Sequence, residues 1–202
     1  MRSIKFLALS TLLLVGAMAA LAQRPASPRG EAAIQIGGQY EDNKYVGGKW
    51  LTVDYGRPIL RGRSGIFGAG ETYGSKLNAG APIWRAGANK STRFSTEVDL
   101  KFGDNDLPAG EYSMFVELKE NNWTLVFSSH AAKGNYGDEG DGLWGAYDYT
   151  DDKDVLRIGM EVLPLPASHE QLTIGFIDVT STGAVLSIMW DKTLGTARFS
   201  VK

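Results

Sequence analysis

The chain has 202 residues, a formal net charge of −2 and no cysteine. The lack of cysteine excludes disulfide bonds, thiolate metal sites, a cysteine nucleophile and a lipid-modified cysteine anchor. A mildly acidic chain without basic runs argues against nucleic acid or an anionic membrane surface as a partner.

Residues 1–22 have the pattern of a secretory signal peptide. A basic start and an apolar run over 6–15 precede an Ala-x-Ala cleavage pattern at 20–22. The alternative is an uncleaved anchor helix, but the apolar run is short for a membrane span. We therefore expect an exported protein, periplasmic or secreted, that makes no stable membrane insertion after cleavage. A flexible lead-in over 23–32 would then precede one domain over 33–202.

Alternating apolar and polar residues predict about nine strands and, beyond the signal segment, no amphipathic helix. Pro164 and Pro166 are expected to end a strand, because proline cannot donate to a sheet ladder. Short strands with turns at this spacing predict an all-β, single-domain β-sandwich, jelly-roll-like in type. The predicted strands are 33–36, 50–55, 98–102, 111–118, 123–128, 155–163, 170–179, 184–190 and 197–201.

Residues 56–92 form a long glycine-rich section with neither strand nor helix periodicity. Sections of this kind inside a compact domain are usually functional or mobile. Five arginines lie in or beside it, and converging guanidinium groups would make a pocket for a small polar or anionic ligand. The alternative is that each arginine braces a loop by binding backbone carbonyls or pairing with an acid. The five are Arg57, Arg61, Arg63, Arg85 and Arg93.

The aromatic residues suggest a platform for a saccharide, since each combines a large apolar surface with a polar group. The alternative is core packing, which the alternation around Trp123 and Trp190 favours. Trp50 and Trp144 are the better candidates for exposure. The platform set is Trp50, Trp84, Trp123, Trp144, Tyr147 and Tyr149.

Metal and catalytic patterns are weak. The acidic loop over 134–154 offers oxygen ligands for Ca²⁺, but its spacing matches no calcium motif, and a solvated loop explains it equally. His130 follows Ser128 and Ser129, a spacing compatible with a Ser/His pair, yet no nucleophile elbow is present. We therefore expect no metal site and no cofactor.

Six segments, taken in their order along the chain, resemble a known family. The chain resembles the bacterial exported domain of unknown function, family 2911, most specifically in its Trp-Arg-x-Gly-Ala-Asn core. The resemblance implies an exported β-sandwich and no assigned activity. The segments are 55–63, 66–68, 84–92, 107–115, 144–149 and 154–157.

The family-like residues are polar and aromatic, which is unusual for a motif that serves packing alone. They are Arg57, Arg63, Trp84, Arg85, Asn89, Thr92, Trp144, Asp154 and Arg157.

Three hypotheses follow. The first is a binding module for a small polar or anionic ligand or a saccharide, in a pocket lined by Arg57, Arg63, Arg85 and Asn89, with Trp84 and Trp144 as walls. The second is a structural or interaction protein of the cell envelope, in which Arg/Asp networks only brace loops. The third is a hydrolase that uses Asp154, or an acid of 138–152, with an arginine as electrostatic stabiliser. The oligomeric state is left open.

Overall fold

The computed structural model describes residues 26–202. The signal peptide predicted for residues 1–22 lies outside the described residues. In the part of the chain that is described, no helix has the length and apolar character needed to cross a bilayer.

The structure is built from strands. Helical structure in the described residues is limited to a 3₁₀ turn at Gly70–Thr72, a short helix α1 at Ser75–Asn78 and a second 3₁₀ turn at Asp151–Lys153. The strands are β1 (Arg29–Ile36), β2 (Gln39–Glu41), β3 (Lys44–Val46), β4 (Lys49–Gly56), β5 (Thr92–Thr96), β6 (Leu100–Phe102), β7 (Asn105–Leu107), β8 (Gly110–Lys119), β9 (Asn122–Ser128), β10 (Asp154–Ile177) and β11 (Gly183–Val201).

Nine strands follow one another in the antiparallel order β1-β4-β5-β8-β9-β10-β11-β6-β7, and β2 and β3 form a separate hairpin. The long strand β10 connects two layers. Its residues 154–160 pair with β9 in the first layer, and its residues 161–177 pair with β11 in the second layer. The layers face each other. The rings of Phe102 and Phe127 lie 5.4 Å apart, and the Tyr55 hydroxyl bonds to the backbone of Ile174. The all-β, sandwich-like fold predicted from the sequence is confirmed.

The main core lies between the two layers. Leu51 and Val53 of β4, Trp123 of β9 and Trp190 of β11 are all 0–2% exposed. The alternation predicted for β4, and the core position predicted for both tryptophans, are therefore confirmed. Burial of such side chains is the main favourable contribution to folding.

A second, smaller core covers the outer face of the first layer. Phe115 of β8 and Val126 of β9 lie opposite each other on that face, and both are fully buried. Side chains from two loops cover them, so the central strands are buried on both sides. The loop side chains are Ala81, Ile83, Leu143, Ala146 and Tyr149.

The prediction that Pro164 and Pro166 end a strand is wrong. β10 continues through both prolines to Ile177. The pairing with β11 shifts register between Pro164 and His169. At such an irregularity a missing backbone N–H breaks no regular ladder bond, so proline is tolerated. The strands predicted at 155–163 and 170–179 are consequently one strand, and those at 184–190 and 197–201 are likewise one.

Four short strands were also missed, namely β2, β3, β5 and β7. Asp42 and Asn43 form the left-handed turn of the β2–β3 hairpin, with φ of 47° and 64°. Residues 105–107 pair with β6 as an edge strand. At the other edge of the order, β1 begins at Arg29, so residues 29–32 of the predicted lead-in belong to the sheet.

Candidate functional site

The segment 82–86 lies beside β8 in the first layer, beyond the first residue of β5. The backbone of Trp84 pairs with Val116 of β8 through hydrogen bonds of 3.2 and 2.9 Å. This pairing makes neighbouring side chains alternate between the two faces. Trp84 enters the main core, whereas Ile83 joins the small outer core and Arg85 reaches the ring of Tyr147 on the outer face.

Trp84 is therefore a core residue in the structure. It is 1% exposed, and its ring packs against Phe67 and Trp123 at centroid distances of 6.1 and 6.2 Å. The sequence suggested Trp84 as a wall of a ligand pocket together with Trp144, but the structure does not bring these two residues to one surface.

The polar residues predicted to line one pocket are bound to backbone carbonyls at separate places. Arg57 donates to the Leu172 carbonyl of β10 over 3.1 Å, and Arg63 donates to the Leu60 carbonyl of its own loop over 2.9 Å. The side-chain amide of Asn89 donates to a carbonyl of the lead-in over 3.1 Å. This arrangement is the loop-bracing one rather than a convergent anion pocket.

Arg85 and Thr92 hold residues 84–92, which we call the motif loop, in shape. The guanidinium of Arg85 donates to the Asn89 carbonyl over 2.7 Å, and its central carbon lies 5.3 Å from the centre of the Tyr147 ring. Arg85 is 8% exposed. The hydroxyl of Thr92, which is fully buried, donates to the Ala86 carbonyl over 3.3 Å. Both side chains thus act within the protein rather than at its surface.

A row of polar residues crosses the first layer from edge to edge. Arg93 of β5 donates to the Ser113 hydroxyl of β8 and to the His130 carbonyl, over 2.9 and 3.1 Å. Ser128 of β9 donates to the Lys153 carbonyl over 3.1 Å. The row therefore fixes both ends of the loop that joins β9 to β10. Successive members in the strand pairing are Glu31, Asp54, Arg93, Ser113, Ser128 and Asp154.

Asp154 and Arg157, both predicted as site residues, do come together at the end of this row. Tyr149 Oη and Arg157 Nη1 each donate to Asp154 Oδ2 over 2.7 Å, and Arg157 Nη2 pairs with Glu117. The Asp154 side chain is 6% exposed, and its other oxygen, Oδ1, is buried without a hydrogen-bond partner. We call these four residues the polar cluster.

The environment of the polar cluster shifts its acid–base equilibria. Burial, and then the hydrogen bond to Asp154, raises the pKa of Tyr149 well above its ordinary value. The hydrogen bond from Lys119 and the charge of Arg157 lower the pKa of Glu117 despite its partial burial. Burial opposes the charge of Arg157, but the hydrogen bond to Asp154 and the neighbouring negative charges together outweigh burial and raise the pKa of Arg157. The charged forms of Glu117 and Arg157 are therefore stabilised.

A cavity of about 330 Å³ lies beside the polar cluster, with Pro82 and Ile83 on its apolar side and Thr150 and Asp151 at its edge. Arg157 contacts Asp154 directly, so no space for a substrate separates this acid from its arginine. The geometry of the hydrolase hypothesis, an acid facing an arginine across a cleft, is not found at Asp154.

A larger cavity of about 540 Å³ lies among the loops of the outer face. Three aromatic residues line it, and Tyr136 meets Trp144 edge to face at 6.2 Å between ring centroids. Tyr136 is 77% exposed and Tyr147 is 37% exposed. We call this the aromatic cavity. Its lining residues are Lys133, Tyr136, Gly142, Trp144, Tyr147 and Asp148.

The sequence identified only part of this lining. Trp144 and Tyr147 were in the predicted saccharide platform, and Asp148 was only part of the acidic loop weighed as a Ca²⁺ site. Lys133 and Tyr136 were not singled out. The available signal was Tyr136, an isolated aromatic in an acidic, glycine-rich loop, where burial in a core is not expected. Trp50, also predicted to be exposed, is 46% exposed.

The weak metal and catalytic patterns of the sequence do not form sites within residues 26–202. No three His, Asp or Glu side chains of these residues cluster as a metal site requires. His130 Nε2 lies 3.0 Å from the Thr150 carbonyl, and the Ser128 hydroxyl donates elsewhere, so these two are not a nucleophile and its base. Asp138 accepts the backbone N–H of Asn135 in a local turn.

Comparison with known proteins identifies the family. Residues 39–199 match the family model described as protein of unknown function (DUF2911). The match covers most of the chain, and the protein belongs to this family, as the sequence resemblance predicted. No curated protein and no solved structure matches the chain.

Proposed function

We propose that this protein is an exported binding module that binds a saccharide in the aromatic cavity. The observation that carries the proposal is the presence of Tyr136, Trp144 and Tyr147 in one cavity of about 540 Å³, with a lysine and an aspartate beside them. The sequence pattern of residues 1–22 supports export.

The chemistry of the lining suits a sugar ring. One face of a sugar ring carries C–H groups that pack on aromatic rings, while its edge carries hydroxyls that need hydrogen-bond partners. Lys133 supplies donors and Asp148 supplies acceptors. Because these charges are of opposite sign, the lining favours a neutral saccharide over a strongly anionic ligand.

Two other cavities are less suited to the same role. Beside the polar cluster, Arg157 is already paired with Asp154 and Glu117, so its charge is neutralised within the protein. The cavity of about 550 Å³ near the β2–β3 hairpin contains Tyr40 and Tyr45 but no charged residue. Neither combines three aromatic rings with a donor and an acceptor.

A thermal-shift panel tests the proposal. The panel holds glucose, galactose, N-acetylglucosamine, maltotriose, cellotriose and chitotriose, with phosphate, citrate and Ca²⁺ as non-saccharide comparisons. A saccharide present at about 100 times its dissociation constant stabilises the folded state by roughly 2.7 kcal/mol. We expect at least one saccharide to raise the unfolding temperature of the wild type.

Two variants locate the effect. Trp144→Ala removes the indole of the cavity, whereas Trp50→Ala removes an exposed indole that does not line it. We expect the shift to disappear in the first variant and to persist in the second. A shift with phosphate, citrate or Ca²⁺ alone would contradict the proposed ligand class, and a shift retained by Trp144→Ala would contradict the proposed site.

One observation favours a second candidate function, a structural protein of the cell envelope. Arg57, Arg63, Arg85 and Asn89 all direct donors at backbone carbonyls, as loop-bracing residues do. On this alternative none of the panel compounds raises the unfolding temperature, and the family-like residues serve stability alone.

A further inference from the structure

The motif loop, residues 84–92, packs against the loop that carries Trp144 of the aromatic cavity. The hydroxyl of Ser91, which is fully buried, lies 3.2 Å from the Leu143 carbonyl and 2.5 Å from the Gly145 carbonyl. These two carbonyls flank Trp144 on either side. In the loop that carries Trp144, the Leu143 N–H also donates to the Ala131 carbonyl over 2.8 Å, and the Leu143 carbonyl accepts the Lys133 N–H over 2.9 Å. The main chain that carries Trp144 is thus fixed on both sides.

Arg85 makes a matching contact with the second aromatic residue. Its guanidinium lies against one face of the Tyr147 ring, at 5.3 Å from the centroid, a distance typical of a cation–π contact. The Tyr147 hydroxyl donates to the Ala79 carbonyl over 3.2 Å, which fixes the other end of the ring. With one ring face on Arg85 and the hydroxyl bound, the side chain of Tyr147 has little freedom to rotate.

Gly145 allows this close packing. A Cβ atom at position 145 would lie 2.4 Å from Arg85 Nη1 and 2.7 Å from its Cζ, and the residue has a φ of +68°. Only glycine fits both the contact and the backbone conformation. The guanidinium therefore lies directly against the backbone of the cavity loop.

We propose that Arg85 and Ser91 are positioning residues for the ligand of the aromatic cavity, a role that rests on the proposed function. Arg85 sets the orientation of the Tyr147 ring, and Ser91 sets the main chain around Trp144. Neither residue lines the cavity, so neither contacts the saccharide. A preformed cavity binds more tightly because its side chains need no ordering on binding.

The proposal assigns a role to the family-like Trp-Arg-x-Gly-Ala-Asn core. Trp84 anchors the motif loop in the main core, and the next residue, Arg85, contacts the Tyr147 ring of the aromatic cavity. Arg85, which the sequence suggested as a direct ligand contact, thus supports a residue of the cavity wall and does not touch the ligand itself.

The test uses the folded protein and a readout that needs no ligand. Ser91→Ala and Arg85→Met remove the two contacts, and Arg63→Met is the matched control, since Arg63 also binds a backbone carbonyl in the same irregular section. The indole N–H signals are recorded by ¹H–¹⁵N NMR, and the Trp144 signal is assigned with Trp144→Phe. We expect the Trp144 signal to shift or broaden in both test variants, while the signal of Trp190 in the main core stays unchanged.

Titration calorimetry with maltotriose, cellotriose and chitotriose provides the second readout. We expect both test variants to bind a saccharide recognised by the wild type about tenfold more weakly, which corresponds to about 1.4 kcal/mol. Arg63→Met should bind as the wild type does. A residue of purely structural importance would lower the unfolding temperature without changing the dissociation constant.

The outcomes separate the two proposals. An unchanged Trp144 signal in both folded variants would overturn the positioning role, whatever the binding result. If the wild type binds none of the three saccharides, the proposed function fails for this class, and the indole spectra still decide whether Arg85 and Ser91 fix the cavity loop. Unchanged affinity in both folded variants would likewise overturn the positioning role.

Discussion

Tyr149 donates its hydroxyl to Asp154 Oδ2 over 2.7 Å, and the same carboxylate oxygen accepts Arg157 Nη1. Burial and this carboxylate raise the pKa of Tyr149 above its ordinary value of 10.0. The protonated phenol is therefore favoured in the folded state. Its stabilising contribution is fully present below about pH 10, the unfolded value, and is lost as pH rises through the higher folded pKa.

We accordingly expect the free energy of unfolding to fall more steeply between pH 9 and pH 11 in the wild type than in Tyr149→Phe, because only the wild type carries this phenol. Denaturant titrations at several pH values provide the measurement. Tyr73 and Tyr112, whose pKa values burial also raises, are present in both proteins and cancel in the comparison. Parallel pH profiles would refute the protonated Tyr149–Asp154 bond.

Trp84 and Trp144 are both family-like residues, but their truncation should lower the free energy of unfolding by different amounts. Trp84 is buried among aromatic rings, so Trp84→Ala should cost about 3–5 kcal/mol of unfolding free energy. Trp144 lines a cavity, and Trp144→Ala should cost clearly less. Chemical denaturation of both variants gives the comparison. Equal losses would show that Trp144 is also a core residue.

Gly56 is required by the close approach of the motif loop to the end of β4. A Cβ atom there would lie 2.0 Å from the Ala88 carbonyl oxygen, a contact that the backbone must shift to relieve. Gly56→Ala should therefore destabilise the fold by about 1–3 kcal/mol, the usual range for overpacking.

Gly159 is the matched control, because a Cβ atom at this strand position meets nothing within 4 Å. Gly159→Ala should leave stability unchanged or raise it by about 0.4–1 kcal/mol. Thermal unfolding of the two variants measures the difference. A tolerated Gly56→Ala would contradict the packing of the loop against β4.

Arg57 joins the end of β4 to β10. It donates to the Leu172 carbonyl and to the Thr173 hydroxyl, each over 3.1 Å. Since Arg57→Ala leaves these groups without that partner, we expect a loss of about 1–3 kcal/mol. Arg198→Ala removes an exposed ion pair with Asp178 and should cost only about 0–1 kcal/mol. A smaller effect at Arg57 than at Arg198 in denaturant titrations would argue against the bracing role.

Much of the fold was predictable because one face of each regular strand is buried. The alternation of Leu51, Val53 and Tyr55 reports that burial directly. Strand positions that depend on tertiary packing leave no such local signal. β10 continues past Pro164 through a register shift in its pairing with β11, and pairing with a distant strand leaves no local pattern.

The site was harder to predict for a related reason. Trp84 lies in a segment without strand periodicity, yet its backbone pairs with Val116 of β8 in an isolated bridge, and its ring lies in the core. That position depends on a partner strand far along the chain. Asp154 and Arg157 came together because they lie close in sequence on β10, whereas Glu117 reaches them only through the sheet.

Saccharide binding by the aromatic cavity is measured on an immobilised glycan array. The labelled wild type, Trp144→Ala and Trp50→Ala are applied to the same array. We predict that the wild type and Trp50→Ala bind the same subset of neutral glycans and that Trp144→Ala binds none of them. Equal binding by all three proteins, or no binding by the wild type, would contradict the claim.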